Sequence, residues 1–459
     1  MITQRKYPLE TMRVDLPTLR DLEIFPTNAG ATGIFDHLDF TQTHQGRRLL
    51  RQRFERPPTT FAELRDVQRA VRFLEAHTEA PWRVDRGLAD AVESYLGSNF
   101  VTTTARGSIP LGVATWWYER RYPEIVQKLC TGVSAVQHLL TAVQDLVLRI
   151  TTAGPPEGVL SHHSNRFTQE LRESGLDRLA RGSRKISSVD ALAWDRRLRG
   201  DLRENLRRML ESAYELDALM AIAKANREHR LVLPEIVDDE EPTIAITGLR
   251  HLFVPKPELN DCQLGPSSRV VLLTGPNMAG KSTYIKACAV AVLLAHVGFG
   301  VPAEAMRVSY LDRIAASIAT TDNVRQGYSY FSSEVKRVSD ITLWLLRGER
   351  TLVILDEPFK GTNVKDAADS TKLALESFAK CRTSLFLIAS HLAEVARDLE
   401  NLPGFRCGYF GAELQDGEPV YDYALRAGVS SQRLGLWVIE KMGLLAQLRE
   451  LRENGEPRG

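Results

Sequence analysis

The stretch at 271–283 reads VLLTGPNMAGKST, and Gly275 to Ser282 within it fits the spacing G-x-x-x-x-G-K-[ST] in full. An apolar run precedes it, and a helical pattern of about fourteen residues starts at Ser282. Gly275 and Gly280 permit a turn whose backbone N–H groups face phosphate, and the helix start adds its partial positive charge. Lys281 is placed to reach the β- and γ-phosphates, and Ser282 to ligate Mg²⁺. Pro276, Asn277, Met278, Ala279 and Thr283 complete the cofactor-binding loop. A chance glycine-rich turn is the competing reading, and the strand before and helix after argue against it. The expected cofactors are ATP and Mg²⁺.

Two further runs end in groups with chemistry. TLVILDEP at 351–358 is an apolar strand finishing in Asp356 and Glu357. Asp356 is the second expected metal ligand, and Glu357 is placed to polarise an attacking water. SLFLIAS at 384–390 leads into His391, whose imidazole could bond the γ-phosphate or that water. A histidine at a strand end is also commonly structural.

The elements that position these groups follow from periodicity. The three apolar runs are separated by helical patterns, as in a buried, mainly parallel sheet of an α/β unit. That unit is expected over 236–459, with a helical part over 41–235 and a lead-in over 1–40. Leu64, Val67, Val71 and Leu74 share one helical face. A stripe over 123–150 includes Leu129, Val133, Val136 and Leu140, and another over 188–225 includes Leu198, Leu202, Leu206 and Leu210. A single helix over the latter would be about 55 Å long, beyond a usual globular helix, which suggests a strut or a two-helix arm, with a plain helical bundle as the alternative. Residues 151–187 read as a short helix between loops.

Composition sets outer bounds. The 459 residues are 43% apolar and 25% charged, with a formal net charge of +1. The overall field therefore argues neither for nor against a polyanionic partner. The basic residues are mostly arginine, which forks onto phosphates and carboxylates. The cysteines, Cys130, Cys262, Cys288, Cys381 and Cys407, are odd in number and lack metal-ligand spacing, which fits a reducing compartment. Without a signal-length apolar core at the N-terminus or a run of 18 apolar residues, a cytoplasmic protein that does not span a membrane is expected.

GPNMAGKST at 275–283 resembles the MutS family of DNA mismatch repair and recombination ATPases. The likeness extends along the chain. GYSYFSSE, Gly327 to Glu334, is similar to the family's signature segment, with Asp322 and Asn323 before it. Asp356 to Asn363, DEPFKGTN, matches the Walker B strand and the loop after it, and His391 matches the histidine ending the next strand. Asp416–Gly417 and the spacing Tyr423, Gly428, Gly435 resemble the end of the same domain. Asp15 to Glu23, the Thr41–Thr43–Gly46–Arg48 spacing, and Glu215 with Asp217 are similar to the family's core. Gly248 to His251 resembles its approach to the ATPase, with Leu252 where proline is usual.

This resemblance implies a fold of class α + α/β: a helical core with long lever helices, then an ABC-type P-loop ATPase. It implies a homodimer formed through the ATPase domains, each nucleotide site completed in trans by Ser329 of the other copy. Asn277 would help orient the γ-phosphate or water. The mismatch-reading and connector domains find no counterpart before the core, the clamp has at most about 40 residues available, and no nuclease-like segment follows the ATPase. A minimal MutS-like ATPase is expected.

What the levers would hold stays open between two partners. Arg166, Arg172, Arg178, Arg181, Arg184 and Lys185 could grip the backbone of duplex or branched DNA without reading sequence. Along 196–208, Arg196, Arg197, Arg199, Arg203, Arg207 and Arg208 read rather as a solvated face balanced by Asp195, Asp201 and Glu204. Trp116, Trp117 and Tyr118 suit core packing or a protein interface better than base stacking. The alternative function is a dimeric ATPase that remodels a protein or ribonucleoprotein.

Overall fold

The computed structural model describes residues 13–26, 30–77, 84–98, 111–182, 185–318, 330–415, 418–430, 441 and 443–454. The chain opens with β1 (Arg13–Val14) and α1 (Leu16–Asp21), followed by α2 (Ile34–Leu38), α3 (His44–Glu55), α4 (Phe61–His77) and α5 (Arg86–Gly97). Then come α6 (Leu111–Arg121), α7 (Pro123–Ala153), α8 (Gly158–Glu173), α9 (Asp177–Ala180), α10 (Ser188–Leu198) and α11 (Arg203–Glu228). Strands follow: β2 (Glu235–Val237), β3 (Ile244–Leu249), β4 (Asn260–Leu264) and β5 (Val270–Thr274), leading into α12 (Lys281–Val297). Next are β6 (Ala305–Ser309), β7 (Arg313–Ser317), α13 (Tyr330–Leu346), β8 (Thr351–Asp356), α14 (Val364–Phe378), β9 (Leu385–Ala389) and α15 (Ala393–Asp398). The last described elements are β10 (Phe405–Phe410), β11 (Glu413–Gln415), β12 (Glu418–Val420), β13 (Leu425–Ala427) and α16 (Leu444–Asn454).

The fold is mixed, a long helical region joined to a mainly parallel sheet. The main sheet runs β1-β7-β8-β9-β5-β10-β13, and every neighbouring pair is parallel except β10–β13. β9 is buried throughout and β5 and β8 nearly so, which is why their sequences read as continuous apolar runs rather than alternating ones. A second sheet, β2-β6-β3-β4, is mixed. β1 and α1 were expected as part of a lead-in to the helical core, yet β1 extends the edge of the main sheet against β7.

The long helices lie inside a bundle. α11 buries residues on every side, from Leu206 and Met209 to Ala225 and Asn226, and packs against α3, α4 and α8. α7 packs against α5 and α10. The stretch over 188–225, expected as a strut or a two-helix arm, is two helices: α10 ends at Leu198 and α11 starts at Arg203. Gly200 sits in the turn, where a Cβ would lie 2.4 Å from the Arg196 carbonyl. Buried Leu198, Leu202 and Leu206 keep four-residue spacing across the break, so periodicity alone hides it. The 151–187 segment, expected to hold one short helix, carries the 16-residue α8, whose Leu160, Ser164, Phe167 and Leu171 face the bundle. The aromatic cluster on α6 splits: Tyr118 is buried, whereas Trp116 and Trp117 are 62% and 49% exposed.

Close helix approach makes a sharp requirement at Gly132. A Cβ on Gly132 of α7 would lie 2.2 Å from the Tyr95 ring of α5, and the Tyr95 hydroxyl donates to buried Asp195 at 2.7 Å, which also accepts from Arg199. Gly132→Ala is expected to cost about 1–3 kcal/mol in chemical denaturation, as overpacking does. Wild-type stability in that variant would refute the tight contact. Among the described residues no helix is long and apolar enough to cross a membrane.

Candidate active site

Adjacency of β8, β9 and β5 is what assembles the site. Asp356 stands in register with Ala389, and Ala389 with Leu273, so three strand ends open at one edge. In parallel α/β sheets, ligands bind at the carboxyl ends of the strands.

From β5 the chain turns through Gly275 at φ +140°, where a Cβ would lie 2.4 Å from the Phe410 carbonyl oxygen. Gly280, at φ +99°, starts α12. This left-handed geometry favours glycine, which explains both fixed positions of the motif. Met278 also adopts a left-handed φ and is 82% exposed at the loop tip, while Ala279 is buried. Asn277 and Thr283 are exposed at the cavity wall. Lys281 is buried, and its Nζ donates to the carbonyls of Gly275 and Pro276 at 2.8 and 3.0 Å, inside the loop mouth. Burial lowers its pKa against the pull of Glu357 and Asp356.

Ser282 Oγ donates to Asp356 Oδ2 at 2.5 Å. The other carboxylate oxygen, Asp356 Oδ1, is buried with no hydrogen-bond partner among the described residues. Burial raises the Asp356 pKa, in spite of Ser282. A hydroxyl beside a carboxylate with a spare buried oxygen suits a hard cation such as Mg²⁺.

Glu357 follows with φ +50° and Phe359 with φ +64°, so the acid is presented on a strained turn. Glu357 Oε2 lies 2.6 Å from His391 Nδ1 and accepts the His391 backbone N–H at 3.2 Å. Burial pushes the Glu357 carboxyl up, but the contacts to His391 pull it down further, below its usual range. The same bond to Glu357 raises His391.

A cavity of about 650 Å³ unites the loop, Asp356 and Glu357, and continues onto a wall that sequence reasoning did not find. That wall includes His251 and Val254 between β3 and β4, Asn260 at the start of β4, and Tyr423. Asn260 ties the two segments together: its side chain donates to the Tyr423 carbonyl at 2.9 Å and accepts the Leu425 N–H at 2.7 Å. His251 and Tyr423 stood out in the sequence only as parts of family-like motifs, and neither motif says which way it faces. Ser329, with Asp322, Asn323 and Gly327, lies outside the described residues. The end of that segment is described, and Glu334 is buried on the second turn of α13.

Comparison with known proteins agrees with this geometry. The family pattern for MutS domain V matches residues 271–452, and that for MutS domain III matches residues 17–96. The chain is 33% identical over 231 residues to the DNA mismatch repair protein MutS of Anaplasma phagocytophilum (strain HZ), covering 50% of this chain and 28% of that protein. It is 34% identical over 245 residues to the DNA mismatch repair protein MutS of Roseiflexus sp. (strain RS-1), covering 50% and 22%. To the DNA mismatch repair protein MutS 2 of Halobacterium salinarum it is 31% identical over 247 residues, covering 52% and 28%. The chain thus spans roughly a quarter of the length of these relatives. With both domain patterns matched in order, and the P-loop lying within domain V, the chain belongs to the MutS family.

Proposed function

We propose that the protein is a Mg²⁺-dependent ATPase, homodimeric through its ATPase domains, that couples ATP binding and hydrolysis to movement of helices gripping duplex or branched DNA without reading mismatches. The observation that carries the ATPase reading is the convergence of Lys281, the Ser282–Asp356 pair and Glu357 on one cavity, with His391 bonded to Glu357. In this reading Gly275 to Thr283 cradle the phosphates, and Asn277 orients the γ-phosphate or water. Ser282 and Asp356 hold Mg²⁺, which when bound neutralises phosphate charge. Glu357 accepts a proton from the attacking water, and His391 orients Glu357. Ser329 would complete the site of the other copy. Exposed Met278, apolar and at the nucleotide mouth, supports a second copy covering that face.

Coupling has a physical route. The last turn of α11 meets the strand region directly: the Gly300 N–H donates to Asn226 at 2.9 Å, and Arg250 donates to the carbonyls of His229 and Arg230. A rotation at the sheet would therefore be felt along the bundle.

One observation favours the second reading, a protein or ribonucleoprotein partner. Of the residues proposed to meet phosphate, Arg166 pairs with Glu211 and Arg181 with Asp177, and along 196–208 Arg208 pairs with Glu170, Arg207 with Glu204 and Glu211, and Arg199 with Asp195. Exposed Trp116 and Trp117 offer an apolar contact instead.

Steady-state ATP hydrolysis with linear duplex, branched and single-stranded DNA, at low salt because phosphate contacts weaken with salt, separates these readings. Turnover that changes at least severalfold with duplex or branched DNA is expected. Robust turnover that ignores every DNA, without DNA binding in the ATP-bound state, would transfer the proposal to the protein partner.

A further inference from the structure

The strained turn that presents Glu357 is held at its far end by a helix, and that helix is held in turn by the N-terminal segment. Glu357 and Phe359 sit at φ +50° and +64°, a conformation non-glycine residues keep only when their surroundings impose it. Two residues past Phe359, the Gly361 N–H donates to buried Glu334 Oε2 at 3.1 Å. Glu334 stands on the second turn of α13, so the helix fixes the end of the loop that carries the acid.

Three residues along α13, one turn on, is Arg337, whose side chain is only 12% exposed. Its guanidinium forks onto Asp15: Nη1 meets Oδ2, and Nη2 meets Oδ1 at 3.1 Å. The same group donates to Thr18 Oγ1 at 2.8 Å and, through Nε and Nη2, to the Ala316 carbonyl at 3.1 and 2.7 Å. A planar fork on a carboxylate fixes angle as well as distance, which a point charge cannot do.

The N-terminal segment is itself anchored where it does this. Thr18 is fully buried and accepts the Ala316 N–H at 2.9 Å, and Asp21 accepts the Ile318 N–H at 2.7 Å. α1 thus takes over the edge of β7 where β1 ends. Glu23, just after α1, pairs with Lys286 of the P-loop helix α12 at 2.7 Å. One short segment therefore touches both the helix that carries Lys281 and the helix that steadies the Glu357 loop.

We infer that Asp15 is a positioning residue for ATP hydrolysis, acting through Arg337, α13 and Glu334 on the loop that presents Glu357. This rests on the ATPase reading above. Asp15 touches neither nucleotide nor metal in this scheme, so its effect falls on the rate of the chemical step and not on nucleotide affinity.

The test uses the full chain and three variants: Asp15→Asn, Arg337→Lys and the double variant. Asn is as good an N-cap as Asp, so Asp15→Asn keeps the bond to the Thr18 N–H that starts α1, while the charge is lost and an NH2 replaces the oxygen that accepts from Arg337 Nη1, which breaks the fork. A kcat lower by on the order of tenfold is expected in each single variant, because small misplacements of reacting groups are costly in rate. KM and the affinity for a non-hydrolysable ATP analogue should stay within about twofold of wild type, and the double variant should fall no further than the worse single one, as partners on one route do. Arg53→Lys supplies the control, since Arg53 pairs with Glu215 at similar burial, away from the site. It should shift the thermal midpoint without changing kcat.

A folded Asp15→Asn variant with wild-type kcat overturns the inference, as does a kcat loss matched by Arg53→Lys at equal loss of stability. Should Arg337→Lys fail to fold, Asp15→Asn decides alone. A wild-type protein that binds the analogue but hydrolyses no ATP overturns the ATPase reading itself, and that outcome is distinct from normal turnover which Asp15→Asn leaves intact.

Discussion

Replacing Glu357 by glutamine is expected to lower ATP turnover by about a hundredfold or more while nucleotide still binds, the range over which general base groups act. The side chain keeps its shape and its place in the turn but can no longer accept a proton. Its carboxylate form is favoured in the wild type by His391, whose Nδ1 lies 2.6 Å away and whose backbone N–H donates to the same oxygen. Glutamine accepts those bonds more weakly, so His391 should return toward its ordinary pKa, visible by NMR of the imidazole. The phosphate loop and the Ser282–Asp356 pair are untouched, so titration with a fluorescent ATP analogue should give wild-type affinity. Wild-type turnover in Glu357→Gln would place the base elsewhere. Loss of binding together with turnover would mean that Glu357 shapes the pocket instead of serving the chemistry.

That site was legible in the sequence because its chemistry constrains residue type locally. Gly275 and Gly280 stand where the turn adopts left-handed φ, and Asp356 and His391 come directly at or after the ends of apolar strands. The parallel sheet was legible for a related reason: strands buried on both faces leave no polar residue to break the run. What could not be read is pairing across sequence distance. β1 takes its place beside β7 through a register that no motif encodes. The cavity wall from His251 to Asn260 faces the loop only because β3 and β4 fold it there. Gly200 breaks a helix inside an unbroken leucine spacing, and local turn chemistry outweighed a periodicity that continues on both sides. Periodicity likewise could not choose between an arm and the bundle that stood as its alternative. α11 buries nearly all its faces, so its sequence suits a buried helix as well as a long arm.

Removing the Asp217 carboxylate is expected to be the most damaging single change to the helical part. Asp217 of α11 is 1% exposed, and it accepts the Gln42 N–H at 3.0 Å, the Thr43 N–H at 2.9 Å and the Thr43 hydroxyl at 2.7 Å. Thr43 in turn accepts the Gly46 N–H at 2.9 Å, as the N-cap of α3. A Cβ on Gly46 would lie 2.2 Å from Asp217 Oδ2, so the two helices meet with no room to spare. Asp217→Ala leaves buried donors without an acceptor and should cost ~3 kcal/mol near pH 5, measured by urea denaturation. The pH dependence identifies the cause. Burial raises the folded-state pKa of Asp217 to about 6, above the ordinary 3.8, despite the bonds it accepts. The folded protein thus binds this proton more tightly than the unfolded chain, and the stability it gains is full below the unfolded value and lost as pH rises through about 6. The stability gap between wild type and Asp217→Ala should therefore narrow between about pH 4 and 7. A gap that widens over that range would show that the donated hydrogen bonds outweigh burial, and that the carboxylate is held there as an anion that stabilises the start of α3.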